Sequence, residues 1–303
     1  DVGLSTREAC GNTVRNVTGC AMAGVCANEP FDVSPYAAAY ARYFVRHPFT
    51  QALPRKIKTA MSGCASDCAI TPIHDVGFIP KMQDGKKGFK MVTGGGTAIM
   101  PRIAPTLFEF VPVEEYLKVT EAVIRVFHRT DELRKNRMKA RIKFYIDRVG
   151  IDQFRSEVEE ELKESWAQRS FDPKDLLFID DEAGDAPSLD GDYKPHGNEP
   201  EFQAWLDTNV ETQRQAGYRA VNIKVKMGDI DAQQFGQLAD ISREYAGGRA
   251  RLTHQQNLTL RWVPENALYE VWQKLSEIGF GDSGVHGISD VVSCPGTDSC
   301  KLG

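Results

Sequence analysis

The sequence of 303 residues predicts an α+β fold built from two layered parts, and three observations support this prediction. Short apolar strands alternate with amphipathic helices up to about Gly150, an order typical of layered α/β or α+β domains. An acidic segment at 180–192 follows, with glycines, a proline and no basic residue, as in a linker or an exposed loop. Beyond it the elements follow the order β-α-β-β-α, which favours a ferredoxin-like sandwich.

The elements of the first part follow from hydrophobic periodicity. They are a helix over 34–46, strands over 56–60, 76–79 and 88–92, and helices over 113–127 and 131–148. The last of these helices is rich in basic residues but has no interleaved aromatic side chains. We therefore interpret it as a solvated helix face, with docking of an acidic electron donor as the alternative.

The second part shows the same kinds of pattern. Its expected elements are a strand over 219–227, a helix over 232–245, one or two strands over 250–263 and a helix over 265–278. The segment 287–303 begins a further element that the sequence does not finish. Together with the strong apolar content, these patterns describe a folded α+β chain.

Composition excludes several classes of protein. The chain is 41% hydrophobic and 26% charged with 28 aromatic residues, which excludes a mostly disordered chain. It has no run of about 18 apolar residues, so we expect no transmembrane helix and no membrane partner. The net charge of −5 argues against nucleic acid as the main partner. No signal peptide is visible, although the sequence opens at Asp1 and a leader could have been removed. Because closely spaced cysteines favour a reducing compartment, we expect a cytoplasmic protein, or one of an organelle stroma if a leader was removed.

The seven cysteines include two closely spaced pairs, which favour metal ligation in a reducing compartment over a disulfide framework. Cys294 and Cys300 enclose a short loop with a glycine, and soft thiolates at such spacing suit an iron–sulfur cluster or zinc. Cys64 and Cys68 form the second pair. The two pairs could join in one four-cysteine site, or the cysteines could be unrelated; spacing alone leaves both alternatives open.

Cationic residues cluster in the first part. If 56–60 is a strand, Lys56 and Lys58 point to the same face, where an anion between them would relieve their repulsion. A solvated edge strand is the plain alternative. Arg15 is a third cation in a polar stretch. The triplet Gly94–Gly96 could let backbone amides approach an anionic ligand, although a lone triplet of this kind is more often a simple turn.

Taken in order, these segments resemble the sirohaem and 4Fe–4S sulfite and nitrite reductases. The similarity runs through GLSTREACGNTVRNVTGC (3–20), FDVSPYA (31–37), LPRKIK (53–58), IHDVGFI (73–79), GGG (94–96), KNRMKARIKFYIDRVG (135–150), RLTHQQNLTLRWV (251–263) and DVVSCPGTDSCKLG (290–303). So many motifs in the same order cover nearly the whole chain except the acidic segment.

The resemblance implies a division of the chain into family modules. Residues 1–165 correspond to the sirohaem/4Fe–4S-type module of the first half, and 166–199 to an acidic linker. Residues 200–282 correspond to the ferredoxin-like half-domain of the second half, and 283–303 to the start of its sirohaem module. On this pattern the sequence is the central portion of a longer protein.

The resemblance also implies roles for individual residues. Arg15, Lys56 and Lys58 match catalytic cations on the substrate side of the sirohaem, which they also help to bind. Asn16 and Arg55 match residues near the carboxylates of the macrocycle.

In the second part, the resemblance assigns Gln256 and Asn257 to the cofactor. Cys294 and Cys300 match the first two ligands of the 4Fe–4S cluster, whose other two ligands come from a later cysteine pair absent here. Cys64 and Cys68 occupy the corresponding place in the first half and are interpreted as a counterpart without ligand function.

The implied activity is the six-electron reduction of sulfite to sulfide, or of nitrite to ammonia, with sirohaem and a 4Fe–4S cluster as cofactors. Lys58 favours sulfite, because plant-type nitrite reductases tend to carry asparagine there. The implied electron donor is a ferredoxin or a flavoprotein. Two alternatives stay open: a non-catalytic zinc protein that uses all four paired cysteines, and a simple electron carrier.

Overall fold

The computed structural model describes residues 8–194, 197–293 and 297, and it divides the chain into two compact units. The first unit comprises the residues up to 24 together with 28–179. The second comprises 25–27 together with the residues from 180 onward. The boundary between 179 and 180 therefore falls inside the range 166–199, where the sequence suggests a linker.

One sheet organises the described residues of the first unit. Its five strands, in both chain and spatial order, are β1 (Val14–Gly19), β2 (Ile57–Met61), β3 (Val76–Gln83), β4 (Lys86–Thr93) and β5 (Thr106–Pro112). The first three are parallel to one another, and the last two pairs are antiparallel. The expected strands β2, β3 and β4 are confirmed, whereas β1 and β5 were not expected.

The helices of the first unit are α1 (Ser34–Phe44), α2 (Tyr116–Arg129), α3 (Ile142–Val149) and α4 (Ile151–Glu161). Aromatic side chains form the centre of its core, where Tyr40, Phe78, Phe89 and Tyr116 are all fully buried. Edge-to-face packing joins several of these rings, such as Phe78 and Tyr116 at 5.8 Å between centroids. Amphipathic periodicity therefore predicted α1 and α2 correctly.

The prediction of a single helix over 131–148 is wrong. Two short 3₁₀ turns occupy 131–134 and 137–139, and only then does α3 begin. Asn136 caps the second turn by accepting a hydrogen bond from the Met138 amide at 3.0 Å. Gly150, at φ +84°, separates α3 from α4, a conformation that glycine adopts readily.

The second unit matches the expected ferredoxin-like layering. Within its described residues, an antiparallel sheet has the spatial order β6 (Val210–Thr212), β7 (Tyr218–Ile223), β9 (Leu258–Pro264) and β8 (Arg251–Leu252). Its helices are α5 (Pro200–Asn209), α6 (Ala232–Tyr245) and α7 (Leu268–Glu277). Helix α5 was not expected. Across the described parts of both units, no helix combines the length and the apolar character needed to cross a bilayer.

The acidic segment is not simply an exposed loop. Glu182 accepts hydrogen bonds from the guanidinium groups of Arg251 and Arg261 and, at 3.1 Å, from Nε1 of Trp262. Arg249 donates to Asp180 at 2.8 and 2.9 Å. Carboxylates that sequence analysis assigned to a solvated linker therefore neutralise arginines within the second unit.

Candidate functional site

A basic cluster lies in the first unit where β1 runs beside β2. Its members are Arg15, Arg55, Lys56 and Lys58. The two strands are parallel, with Val14 opposite Ile57, so Arg15 comes next to the lysine segment. Ile57 and Thr59 are buried, at 0% and 1% exposure. Because side chains alternate along a strand, Lys56 and Lys58 project to the other, accessible face, as the sequence predicts.

The cluster carries unbalanced positive charge. Among the residues that the structure describes, none of its four members forms an ion pair with a carboxylate. Burial lowers the pKa of Lys56, and the charges of Arg15, Lys58, Arg55 and Arg141 lower it further. Like charges held this close repel one another unless an anion lies among them. The arrangement is therefore suited to an anionic ligand.

The loop before β1 holds the two arginines of the cluster. Nε and Nη2 of Arg15 donate to the carbonyl oxygen of Gly11 at 3.3 and 3.1 Å. Nη1 of Arg55 lies 3.5 Å from Oδ1 of Asn12. Asn16, the next residue of β1, is exposed. Nη2 of Arg15 also lies 3.7 Å from Sγ of Cys10, so the contacts among the described residues leave Nη1 of Arg15 and most donors of Arg55 available.

A buried ion pair lies directly behind Lys58. Asp75 is fully buried, and Arg141 is 8% exposed. Nε and Nη2 of Arg141 donate to the two carboxylate oxygens of Asp75, each at 2.7 Å. The backbone amide of Lys58 donates to Oδ2 of Asp75, also at 2.7 Å. Burial raises the pKa of Asp75, and the guanidinium of Arg141 opposes that rise.

Arg141 and Lys143 therefore do not lie on a solvated helix face, nor on a surface for an acidic electron donor. Lys143 is 1% exposed. Its ammonium donates to the carbonyl oxygens of Ile99 and Met100 at 2.9 Å, and lies 3.4 Å from that of Ala98. Burial lowers the pKa of Lys143. This one cation holds the loop that follows the glycine triplet.

Replacing Lys143 by methionine should release this loop. The carbonyl groups would lose their donor, which costs about 1–3 kcal/mol for a buried polar group. We expect trypsin to cut after Arg102 about tenfold faster than in the wild type, because cleavage follows the population of the open loop. Mass spectrometry of the fragment ending at Arg102 measures this rate. Lys139→Met removes the same charge from an exposed position nearby and should not change this rate. Equally fast cleavage after Arg102 in the Lys139→Met variant would contradict the prediction.

The glycine triplet does not offer its amides to an anion, so that expectation is wrong. The N–H groups of Gly94–Gly96 donate, in order, to the carbonyl oxygens of Asp75, His74 and Arg102, at 2.9, 2.9 and 3.0 Å. A Cβ on Gly95 would lie 2.1 Å from the carbonyl oxygen of Pro72. The glycines serve close packing of backbone on backbone.

The two residues assigned to the cofactor in the second unit differ in their surroundings. Asn257 is 1% exposed. Its Oδ1 accepts a hydrogen bond from the Val225 amide at 2.8 Å, and its Nδ2 donates to Oδ2 of Asp290 at 2.7 Å. Gln256 is exposed and has φ +66°. Asn257 thus ties the segment around residue 290 to the sheet.

Of the two cysteine pairs, the structure describes only Cys64 and Cys68. Cys294 and Cys300 lie outside the described residues, and with them the proposed cluster ligands. Cys64 is buried and Cys68 is exposed. Sequence analysis missed Cys20, whose thiol pKa is raised by burial and by the nearby Cys68 and Cys64. In the described part of the chain, no group of three or more His, Cys, Asp or Glu residues could hold a metal ion.

Sequence analysis also missed Asp75 and misplaced Arg141. The signal for Asp75 is an acidic residue directly before the apolar strand β3, where a charge is costly to bury without a partner. No local pattern identifies its partner, because 66 residues separate the two.

The fold and the basic cluster define a class of protein: an α+β module that carries a basic surface cluster, followed by a ferredoxin-like module. Comparison with family models agrees with this assignment. Residues 10–166 match the nitrite and sulphite reductase 4Fe–4S domain, and residues 211–278 match the nitrite/sulfite reductase ferredoxin-like half domain. The chain belongs to the nitrite and sulfite reductase family. The resemblance seen in the sequence is confirmed, and with it the α+β fold and the cofactors of the family, sirohaem and a 4Fe–4S cluster.

Individual relatives agree with the family models. Sulfite reductase [ferredoxin] 2 of Mycolicibacterium paratuberculosis is 32% identical over 303 residues, covering 99% of this chain and 49% of the relative. The assimilatory ferredoxin-dependent nitrite reductase of Haloferax mediterranei is 28% identical, covering 99% and 50%. The solved NirA protein of Mycobacterium tuberculosis superposes with a TM-score of 0.77 at 28% identity, covering 99% and 50%. The chain spans about half the length of these relatives.

Proposed function

We propose that this chain is part of a sirohaem-dependent reductase that converts sulfite to sulfide, or nitrite to ammonia, by six-electron reduction. The observation that carries the proposal is the basic cluster, four cations gathered at the β1–β2 pair with no carboxylate ion pair among the described residues. Both the macrocycle, with its several carboxylates, and the oxyanion substrate are anions that such a cluster would hold. Lys58 favours sulfite over nitrite as the main substrate.

The residues present fit the macrocycle better than they fit a metal ion. Arg15, Arg55 and Lys58 offer N–H donors at an accessible surface, and Lys56 is half-buried between them. Such a surface binds carboxylates through charge-assisted hydrogen bonds. Thiolates are the usual ligands of a 4Fe–4S cluster, and we assign that role to Cys294 and Cys300 on sequence grounds alone.

When bound, sirohaem would supply the iron through which electrons of the donor reach the substrate, and the chain would supply positive charge and protons. Arg15 stays charged throughout and would anchor the oxyanion without giving up a proton. Lys56, half-buried beside Arg15 and Lys58, carries an ammonium that would donate protons to the oxygens that leave as water. Lys58, which is exposed, would hold the incoming anion.

We further propose a ferredoxin as the electron donor, as the names of the mycobacterial and haloarchaeal relatives suggest. A flavoprotein is the alternative donor. Clusters held by thiolates require a reducing compartment, so we propose the cytoplasm or an organelle stroma as the location.

Titration of the purified chain with sirohaem under anaerobic conditions tests the proposal. We expect saturable binding at one equivalent with a dissociation constant on the order of 1 μM, followed by its absorption bands. Arg15→Met should weaken binding by about tenfold, because one charge-assisted contact is lost. Lys86→Met removes a charge from the exposed start of β4 and should leave the affinity unchanged. Absence of saturable binding, or equal losses in the two variants, would contradict the proposal.

A further inference from the structure

We propose that Asp75 is a positioning residue for the basic cluster: its carboxylate fixes Lys58, and through the strand Lys56, in the place where an anion is held. This inference rests on the proposed function and deepens it. Asp75 itself does not face the accessible side of the sheet, since it is fully buried. Its effect on a ligand must therefore pass through the residues that it holds.

The carboxylate completes the sheet at the point where the cluster begins. Strand β2 pairs with β3 from Thr59 opposite Val76 onward. One residue earlier, the amide of Lys58 has Asp75 as its neighbour, and Oδ2 of Asp75 accepts its hydrogen at 2.7 Å. The side chain thus takes the place of a backbone carbonyl and extends the pairing of β2 by one residue. Without it the Lys58 amide would lose this acceptor on the β3 side, and β1 alone would hold this end of β2.

Asp75 is itself held from three directions. Its backbone carbonyl accepts hydrogen bonds from the Gly94 amide at 2.9 Å and from the Thr93 hydroxyl at 2.8 Å. Its carboxylate receives the two parallel N–H groups of Arg141, which directly precedes α3. A two-point contact of this kind fixes orientation as well as distance. The support of Lys58 is therefore rigid.

The charge of Asp75 allows its positioning role to be distinguished from a simple electrostatic one. Arg141 lies close enough to lower the pKa of Lys56. Removing the negative charge of Asp75 would leave Arg141 unneutralised and make the region more positive. Electrostatics alone therefore predicts that an anion binds more tightly to Asp75→Asn. Loss of positioning predicts the opposite, because the amide nitrogen of Asn would meet Nε of Arg141 as donor against donor, and the side chain would no longer be fixed beneath Lys58.

The test is the affinity for sirohaem of Asp75→Asn and Asp75→Glu, measured by the absorbance titration. We expect both variants to bind about tenfold more weakly than the wild type, and the Asp75→Asn/Lys58→Met double variant to lose less affinity than the two single losses combined. Hydrogen exchange at the Lys58 amide should accelerate in both single variants. Asp147→Asn, which removes an equal charge paired with Arg102 in the same unit, should change neither quantity.

Tighter or unchanged sirohaem binding by the folded variants would overturn the inference. A double variant whose loss of affinity equals the sum of the Asp75→Asn and Lys58→Met losses would overturn it as well. Asp75→Glu keeps the charge and moves it by one methylene, so it decides the matter if Asp75→Asn does not fold. Failure of the wild-type chain to bind sirohaem would instead contradict the proposed function. The two failures are therefore distinguishable.

Discussion

Replacing Lys56 and Lys58 together by methionine is expected to weaken sirohaem binding by about a hundredfold or more, because two charge-assisted contacts are lost at once. Methionine keeps most of the length and apolar character of the lysine stem, so packing around the buried Ile57 should persist. The effect exceeds that expected for Arg15→Met, since both lysines lie on the same short strand segment. Absorbance titration measures the affinity, and circular dichroism verifies the fold.

The same double variant should lose a proton-linked part of binding. In the free chain, burial and neighbouring cations lower the pKa of Lys56, so its proton leaves at a lower pH than in an ordinary lysine. An anionic ligand beside the ammonium raises that pKa again. Binding in the alkaline range should therefore take up protons, and affinity should fall as the pH rises through the pKa of the complex. Calorimetry in buffers of different ionisation enthalpy detects this uptake.

A matched control separates these contacts from general charge. Lys86→Met with Lys163→Met changes the net charge by the same amount at exposed positions, at the start of β4 and just after α4. We expect this control to bind sirohaem as the wild type does, within about twofold. If the control loses as much affinity as the Lys56/Lys58 variant, the ligand responds to overall charge and not to the cluster.

The sequence predicted those elements whose apolar side chains repeat with a clear period. Helix α2 buries Leu117, Val123, Ile124 and Phe127 on one face, and this spacing is visible without any structure. Strand β1 has no such signal, because Val14 is followed by Arg15 and Asn16, which the chain needs at its surface. The strand is therefore stabilised by its pairing with β2 and not by its own periodicity.

The sequence predicted only those features of the candidate site that depend on residues close together in the chain. The two-residue spacing of Lys56 and Lys58, at and just before the start of β2, predicts that both lie on one face. Arg141 and Lys143 show the same spacing and the same charge, yet both are buried. What distinguishes them is their partners, Asp75 and the carbonyl groups of the 96–100 loop, and these come from distant parts of the chain. A charge pattern alone does not distinguish a solvated cation from one that is paired inside the fold.

Gly95→Ala is expected to be strongly destabilising. A Cβ on Gly95 would lie 2.1 Å from the carbonyl oxygen of Pro72 and 2.6 Å from that of His74. Both are backbone atoms, so no side-chain rotation relieves the clash, and the turn that leads to Asp75 must move. We expect a loss of about 3 kcal/mol or more in the free energy of unfolding, measured by urea denaturation.

Movement of that turn should also displace the support of Lys58, so any folded fraction of Gly95→Ala should bind sirohaem more weakly than the wild type. Gly19→Ala is the matched control, since a Cβ there meets no atom within 4 Å and Gly19 belongs to β1 of the same unit. Its stability should lie within about 0.5 kcal/mol of the wild type. Equal stabilities for the two variants would mean that the 72–75 turn yields freely, which would also contradict the rigid support proposed for Lys58.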